Sequence, residues 1–167
     1  MILHKETPIG NNETAGELHD RLISIGSEAV VETLALIEKG NVSTEIQKDN
    51  SEIKTAYKLN KDNCKIDWTK PGEVIYNLVR GLCPYPAAWS FIKDGEQEWN
   101  VKFYETSFIS EEHNFEIGSV ITTKKEMKIA VENGFLEIFS LQFPGKKRMK
   151  THELLNGVHF SSEAKAF

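Results

Sequence analysis

The residues best suited to chemistry in this sequence form a basic run near its end. Four cationic side chains lie within the five positions 146–150, in the segment Pro144-Gly145-Lys146-Lys147-Arg148-Met149-Lys150. The Pro-Gly start indicates a loop. Side chains of this type neutralise phosphates, and such contacts weaken steeply as salt is added. A solubilising turn is the alternative, and the acidity of the whole chain slightly favours that alternative.

Common catalytic signatures do not occur in the sequence. It contains no Gly-x-Ser-x-Gly elbow, no phosphate-binding glycine loop and no His-Glu-x-x-His. His19 falls on an acidic helix face and His113 in a polar loop, so both are expected to be structural or solvated. The role of His4 is left open, because no carboxylate partner is evident beside it. Cys64 and Cys83 lack metal-ligand spacing, and two idle or buried thiols are favoured over a disulfide.

Composition indicates a globular chain with an uneven charge distribution. Of the 167 residues, 40% are hydrophobic and 27% are charged, and the net charge is −5. Residues 1–44 hold three basic and seven acidic side chains, residues 45–62 four of each, and residues 63–167 13 and 14. A polyanion-binding surface is therefore expected after residue 44. No signal peptide or membrane span is evident, so a cytoplasmic location is expected.

The first elements expected along the chain are a strand and a long helix. Residues 2–8 are interpreted as a strand that starts abruptly, which suggests a cut at Met1. The segment Thr14-Ala15-Gly16-Glu17 fits a capping box. Apolar residues then recur at helical spacing as far as Ile37, and Gly40 suits the position after a helix. The acidic residues of this helix are interpreted as its solvated face rather than as a metal site.

Residues 45–62 predict a linker, since no apolar period persists there. Two interpretations of the linker lysines stay open: they keep the chain soluble, or they contact successive phosphates of a nucleic acid. These lysines are Lys48, Lys54, Lys58 and Lys61. A helix follows, with Thr69 as its N-cap, Pro71 in its first turn and Arg80 near its end. Its apolar face is predicted to contain Val74, Ile75, Leu78, Val79 and Leu82, and Pro84 and Pro86 end it.

Beyond this helix, short alternating segments and tight turns predict a small antiparallel β-barrel. Strands are expected from Trp89 to a hairpin at Lys93-Asp94-Gly95, and then at 98–108, 118–121, 127–131 and 135–143. Thr151 is expected to cap a short helix over 152–156, and the tail after Phe160 is expected to fray. The fold class is therefore mainly β with helices.

Several of these segments resemble the C-terminal half of the methionyl-tRNA formyltransferase family. They are Ile66-Asp67-Trp68, the stretch Asn77-Leu78-Val79-Arg80-Gly81-Leu82-Cys83-Pro84-Tyr85-Pro86-Ala87-Ala88-Trp89, and Gly145-Lys146-Lys147-Arg148-Met149. Residues 5–9 and 13–20 are similar to the end of the family's N-terminal domain, so the resemblance covers the whole chain. The family transfers formyl from 10-formyltetrahydrofolate to the methionine amino group on initiator tRNA.

The resemblance implies that this chain is one part of such an enzyme. Residues 1–44 would be the end of a doubly wound α/β catalytic domain, residues 45–62 the linker, and residues 63–167 a barrel like the oligonucleotide-binding fold. The family's catalytic Asn, His and Asp and its Ser-Leu-Leu-Pro folate loop match no position, and His4 does not replace the missing His. The chain alone is therefore expected to be inactive and to hold no folate or metal cofactor. Residues 1–40 are expected to associate with a second copy or to pack poorly.

The function carried over from the resemblance is docking of initiator methionyl-tRNA. The implied contacts are Lys146, Lys147 and Arg148, with Arg80, Lys54, Lys58 and Lys61 matched less directly. Asp67 and Trp68 are expected to be structural, and Trp89 and Trp99 to lie in the core. Two alternatives stay open at this point. One is a barrel that only packs against another domain or protein, and the other is the C-terminal domain of a sugar-nucleotide formyltransferase.

Overall fold

The fold is given by a computed structural model, which describes residues 1–40, 42–46 and 54–167. The chain divides into two compact units, Met1–Lys58 and Leu59–Phe167. Lys48 and residues 47–53 of the expected linker lie outside the described residues. The division into catalytic-domain end, linker and barrel stays a prediction.

The first unit is built around helix α1, Ala15–Glu38. The capping box predicted for its start is confirmed, because the Glu17 N–H donates to Thr14 Oγ1 at 3.3 Å and the Thr14 N–H donates to Glu17 Oε2 at 2.8 Å. Gly40 has a φ of 66°, as expected just after a helix. No residue of α1, all of which the structure describes, is buried. Its exposed large apolar side chains are Leu22, Ile23, Val30, Val31, Leu34 and Ile37.

The strand predicted for residues 2–8 is wrong, since these residues form no strand. Met1 exchanges backbone hydrogen bonds with Glu45, but within the described residues no ladder continues from that pair. A strand needs a paired neighbour, and the local sequence cannot supply one. His4 also differs from expectation, because its Nε2 lies 3.8 Å from the Glu6 carboxylate, with both side chains exposed.

The second unit starts with helix α2, Gly72–Leu82, whose apolar face covers the sheet. Its N-cap is Pro71 rather than Thr69. The Thr69 hydroxyl and N–H instead donate to Asp67 Oδ1, at 2.6 and 3.0 Å, forming a local Asx turn. The buried face contains Ile75, Val79 and Leu82, whereas Val74, also predicted for it, is 52% exposed.

The rest of the second unit is an antiparallel sheet that nearly closes on itself. Its strands are β1 Ala88–Asp94, β2 Gln97–Ser110, β3 Val120–Thr122, β4 Met127–Val131, β5 Gly134–Gln142, β6 Met149–Lys150 and β7 Lys165–Ala166. The order is β3-β4-β5-β2-β1-β7, and β6 pairs with β5. A bridge between Ser119 and Lys165 joins the two ends of this order. The predicted class, mainly β with a small antiparallel barrel, is therefore confirmed.

The end of the chain is ordered, so the expectation that it frays is wrong. Strand β7 pairs with β1, and Ala164 and Ala166 are buried. The N–H of Phe167 donates to the carbonyl of Phe91 at 3.0 Å. These few residues form hydrogen bonds with backbone groups on the otherwise open edge of β1. Because the pairing is only two residues long, it leaves no periodic pattern in the sequence.

The short helix α3, Thr151–Leu154, also begins differently from expectation. Its N-cap is Lys150 rather than Thr151, which is the first residue of the helix. The buried Thr151 hydroxyl donates to the carbonyl of Ile138 in β5. It therefore fastens α3 to the sheet rather than capping the helix.

The core of the second unit contains the tryptophan of the Ile66-Asp67-Trp68 motif. Trp68 is 5% exposed, its ring packs edge-on against Phe103 with centroids 5.9 Å apart, and its Nε1–H donates to Ser90 Oγ at 2.7 Å. Trp89 is also buried, as predicted, whereas Trp99 is only partly buried. Cys64 and Cys83 are both buried and are not joined in a disulfide, which agrees with the sequence interpretation.

Candidate nucleic-acid interface

The basic loop, residues 144–150, lies beside an irregularity in the pairing of β2 with β5. The register runs from Phe103–Leu141 to Glu105–Ser140, which leaves Tyr104 as an extra residue in β2. Successive side chains of a regular strand point to opposite faces. The bulge removes that constraint, so that both Tyr104 and Glu105 contact the same arginine of the loop.

That arginine, Arg148, is held on three sides. Its Nε–H donates to Ser140 Oγ at 2.8 Å, and its guanidinium carbon lies 4.6 Å from the centroid of the Tyr104 ring. Its Nη2 donates to Glu105 Oε1. An arginine restrained in this way has one main orientation, unlike a freely moving surface side chain.

Glu105 is shared between two cations of the basic loop. One carboxylate oxygen accepts from Arg148, and the other lies 2.5 Å from Lys150 Nζ. The hydrogen bond from Lys150 is the main cause that lowers the pKa of the Glu105 carboxyl, and the positive charges of Lys150 and Arg148 add to it. The carboxylate therefore stays ionised at neutral pH and partly offsets two of the four positive charges.

A second, uncharged tie holds the start of the basic loop. The Tyr104 hydroxyl donates to Gln142 Oε1 at 2.8 Å, and Gln142 Nε2 donates to the backbone carbonyl of Lys146 at 2.8 Å. Burial raises the pKa of Tyr104, which keeps its hydroxyl protonated as the donor. These two hydrogen bonds fix the start of the loop to β2 and β5 without using a lysine side chain.

The side chains of Lys146 and Lys147 remain available to a partner. Both residues are exposed, and neither forms an ion pair with another described residue. The cluster of four cations and one carboxylate keeps a net positive charge. The arrangement can bind an anion such as a phosphate.

The other predicted contact residues lie on separate elements. Arg80 is in the last turn of α2, where its Nε donates to Asn77 Oδ1 at 2.7 Å. Lys61 is exposed, with Nζ 5.2 Å from the centroid of the Trp89 ring, and lines a cavity of about 480 Å³. Lys54 and Lys58 are exposed residues of the first unit. The described contacts therefore support a shared site only around residues 144–150.

Sequence reasoning missed the residues that shape the basic loop, which are Tyr104, Glu105, Ser140 and Gln142. The alternation along β2 places Tyr104 and Glu105 on opposite faces, and nothing local to the sequence announces the bulge. The sequence did offer one signal. Strand β2, which pairs with the strand before the basic loop, carries a phenol and a carboxylate at adjacent positions. Their role depends on a pairing between positions about 40 residues apart, as in the contact of Glu105 with Arg148.

The fold and the basic loop together define the class of protein, which is a small antiparallel β-barrel domain that carries a cationic loop. The chain belongs to the formyl transferase C-terminal domain family, which matches residues 58–159. The methionyl-tRNA formyltransferase of Flavobacterium johnsoniae is 59% identical over 167 residues, covering 100% of this chain and 53% of that protein. The enzyme of Bacteroides thetaiotaomicron is 40% identical, covering 96% of this chain and 52% of that protein. The resemblance to the methionyl-tRNA formyltransferases is thereby confirmed, and the chain spans about half the length of these curated relatives.

Solved structures show the same fold in more distant proteins. HypX from Aquifex aeolicus in complex with tetrahydrofolic acid gives a TM-score of 0.64 at 18% identity, over 93% of this chain and 28% of that chain. The sugar 3N-formyl transferase WlaRD gives 0.53 at 20% identity, over 84% and 48%. At these identities the likeness concerns architecture alone. Among the described residues, no helix is long and apolar enough to cross a membrane.

Proposed function

We propose that this chain is the RNA-docking part of a methionyl-tRNA formyltransferase. Its basic loop holds phosphates of initiator methionyl-tRNA in the cytoplasm during translation initiation. The observation that carries the proposal is the exposed pair Lys146 and Lys147 on a loop anchored to the barrel. The 59% identity to a methionyl-tRNA formyltransferase supports initiator tRNA as the RNA in question.

The contribution of the loop is to position the RNA rather than to read its sequence. Contacts between lysine and phosphate carry no base information, but they fix the register of a nucleic acid on a protein. The net charge of −5 weighs only slightly against this role. At about 0.1 M salt, charges more than about 10 Å away are largely screened, so the local charge of the loop dominates the contact.

The chemistry of formyl transfer is assigned to residues that this sequence lacks. No position matches the catalytic residues or the folate loop that the resemblance names, so no transfer step is derived from this chain. 10-Formyltetrahydrofolate would be the cosubstrate of the larger enzyme and would not bind here. A formyl-transfer assay on the purified chain should give no product above background, and turnover would contradict this assignment.

The docking role is tested by the double variant Lys146→Ala with Lys147→Ala. Filter binding of initiator tRNA is measured between 50 and 200 mM salt. Loss of two phosphate contacts should lower the slope of log affinity against log salt by roughly 1.4 to 1.8. Affinity at the lowest salt should fall most.

Lys124→Ala with Lys125→Ala is the matched control. These are also adjacent exposed lysines, in the turn between β3 and β4. The control removes the same charge from another part of the barrel. If both double variants bind RNA alike, or if the unchanged chain binds without dependence on salt, the docking role of the basic loop is wrong.

A further inference from the structure

The position of Glu105 limits what Arg148 can offer to a ligand. A guanidinium can grip an anion through either of two forked edges, Nε with Nη2 or Nη1 with Nη2. In this structure Nε donates to Ser140 and Nη2 to Glu105, so the edge formed by Nε and Nη2 is filled. Nη2 carries a second N–H, so a phosphate could still meet the edge formed by Nη1 and Nη2, but there it would share Nη2 with the Glu105 carboxylate, whose negative charge repels it.

Lys150 is also bound by Glu105. Its Nζ lies 2.5 Å from the second oxygen of Glu105, so that one carboxylate bridges two cations. Backbone pairing builds this bridge: Ser140 of β5 pairs with Glu105 of β2 on one side and with Lys150 of β6 on the other. The three positions form a row across three strands, and the bulge at Tyr104 brings Arg148 to the same carboxylate.

We propose that Glu105 is an internal counter-anion of the basic loop. It occupies Arg148 and Lys150 where a phosphate would otherwise bind, and so leaves phosphate contact to Lys146 and Lys147. This inference rests on the proposed docking function and deepens it, because it names which cations meet the RNA and which residue weakens the contact. It also changes the role that the resemblance implies for Arg148, from a ligand of RNA to a side chain held by the protein.

If Glu105 is a counter-anion, removing its charge should increase the affinity of the chain for RNA. Removing the carboxylate frees two cations and removes one negative charge from the interface. The net gain is one positive charge, so Glu105→Gln should bind initiator tRNA more tightly than the unchanged chain and should raise the salt slope by roughly 0.7 to 0.9. Between 50 and 200 mM salt, the advantage of the variant should shrink about threefold.

Glu98→Gln is the matched control for this experiment. Glu98 is an exposed carboxylate on the same strand, forms no ion pair among the described residues, and lies seven positions from Glu105, roughly 23 Å along an extended chain. The control has the same net charge as the test variant. A general charge effect would make the two variants equal, whereas a counter-anion role makes only Glu105→Gln tighter.

A double-mutant cycle separates this role from a structural one. Arg148→Ala should cost more affinity in the Glu105→Gln background than in the unchanged chain, because only there is the guanidinium released for phosphate. Glu105→Ala should act like Glu105→Gln. Glu105 is only partly buried, and melting curves of all variants check that the barrel remains folded.

These experiments distinguish failure of the counter-anion role from failure of the docking function. If the unchanged chain binds tRNA with a salt slope but Glu105→Gln matches Glu98→Gln or binds more weakly, the counter-anion is refuted and docking stands. Inorganic polyphosphate serves as a second probe without bases. If it binds more tightly to Glu105→Gln while tRNA does not bind at all, the counter-anion role is supported toward phosphate chains and the tRNA function is refuted. Equal polyphosphate affinity of the two glutamine variants also refutes the counter-anion.

Discussion

Ser90→Ala is expected to destabilise the barrel far more than the loss of one oxygen atom suggests. Ser90 is completely buried in β1. Its hydroxyl accepts from Trp68 Nε1 at 2.7 Å and lies 2.9 Å from the carbonyl of Phe167, to which it donates. The substitution leaves the indole N–H in the core without an acceptor, so the motif around Trp68 loses its polar anchor.

The magnitude follows from the two nearest partners of the hydroxyl, the indole N–H and the carbonyl of Phe167. A buried donor left without an acceptor costs about 1–3 kcal/mol. The carbonyl of Phe167 still accepts from the N–H of Phe91 at 3.2 Å, so losing the Ser90 bond there adds only a little. A total near 2–3 kcal/mol is expected. In a domain of this size, that corresponds to a fall in melting temperature of roughly 10 °C or more.

Urea unfolding and calorimetry measure this effect, and a cycle with Trp68→Phe assigns it. Because each single change breaks the same bond, the double variant should be more stable than the sum of the single losses predicts, by about 1 kcal/mol. Ser110→Ala, at the exposed end of β2, is the control and should stay within about 0.5 kcal/mol of the unchanged chain. A Ser90→Ala loss no larger than the control, or strict additivity in the cycle, would refute the reasoning.

Four further predictions concern packing, the end of the chain, pH and the exposed face of α1. Gly72→Ala would place a Cβ 2.3 Å from a ring carbon of Phe108 and 2.6 Å from a methyl of Val131, so urea unfolding should show a loss of about 1–3 kcal/mol. Deleting residues 164–167 exposes the edge of β1, and a lower melting temperature with more light scattering is expected. Because the pKa of Glu105 is lowered from 4.5, its ion pairs stabilise the fold fully above that value, and their effect is lost as the pH falls through the depressed pKa. Melting temperatures of Glu105→Gln and the unchanged chain should therefore converge in acid, and a constant difference would contradict this. The apolar side chains exposed on α1 predict a sedimentation mass that rises with concentration, and a monomer with α1 protected from hydrogen exchange would argue against it.

Features that depend on local chemistry could be predicted from the sequence. The capping box at Thr14 needs only residues three positions apart, and it forms as expected. Strand β4 runs over residues 127–131, as its alternation predicts, and the hairpin after Asp94 turns at Gly95, whose φ is 59°. In each case the residues that determine the structure are neighbours in the chain.

Features that depend on distant pairing could not be predicted. Residues 2–8, predicted as a strand, lack a partner strand among the described residues, whereas residues 165–166, for which no strand was predicted, pair with β1. Thr69 looked like a helix cap, but Asp67, two positions earlier, takes both of its hydrogen bonds. The position of the basic loop was evident from its composition, but its ion pairing was not, because Glu105 meets it only through the sheet register.

Two kinds of interaction hold the basic loop to the barrel: ion pairs and neutral hydrogen bonds. Glu105 holds one end through ionic contacts, while the Gln142 amide holds the other through neutral hydrogen bonds. Added salt weakens the first kind much more than the second. Ionic strength high enough to strip a polyanion from Lys146 and Lys147 would therefore leave the backbone near Gln142 in place. A polyanion bound as proposed would therefore meet a preshaped surface, so each new encounter would need no ordering step.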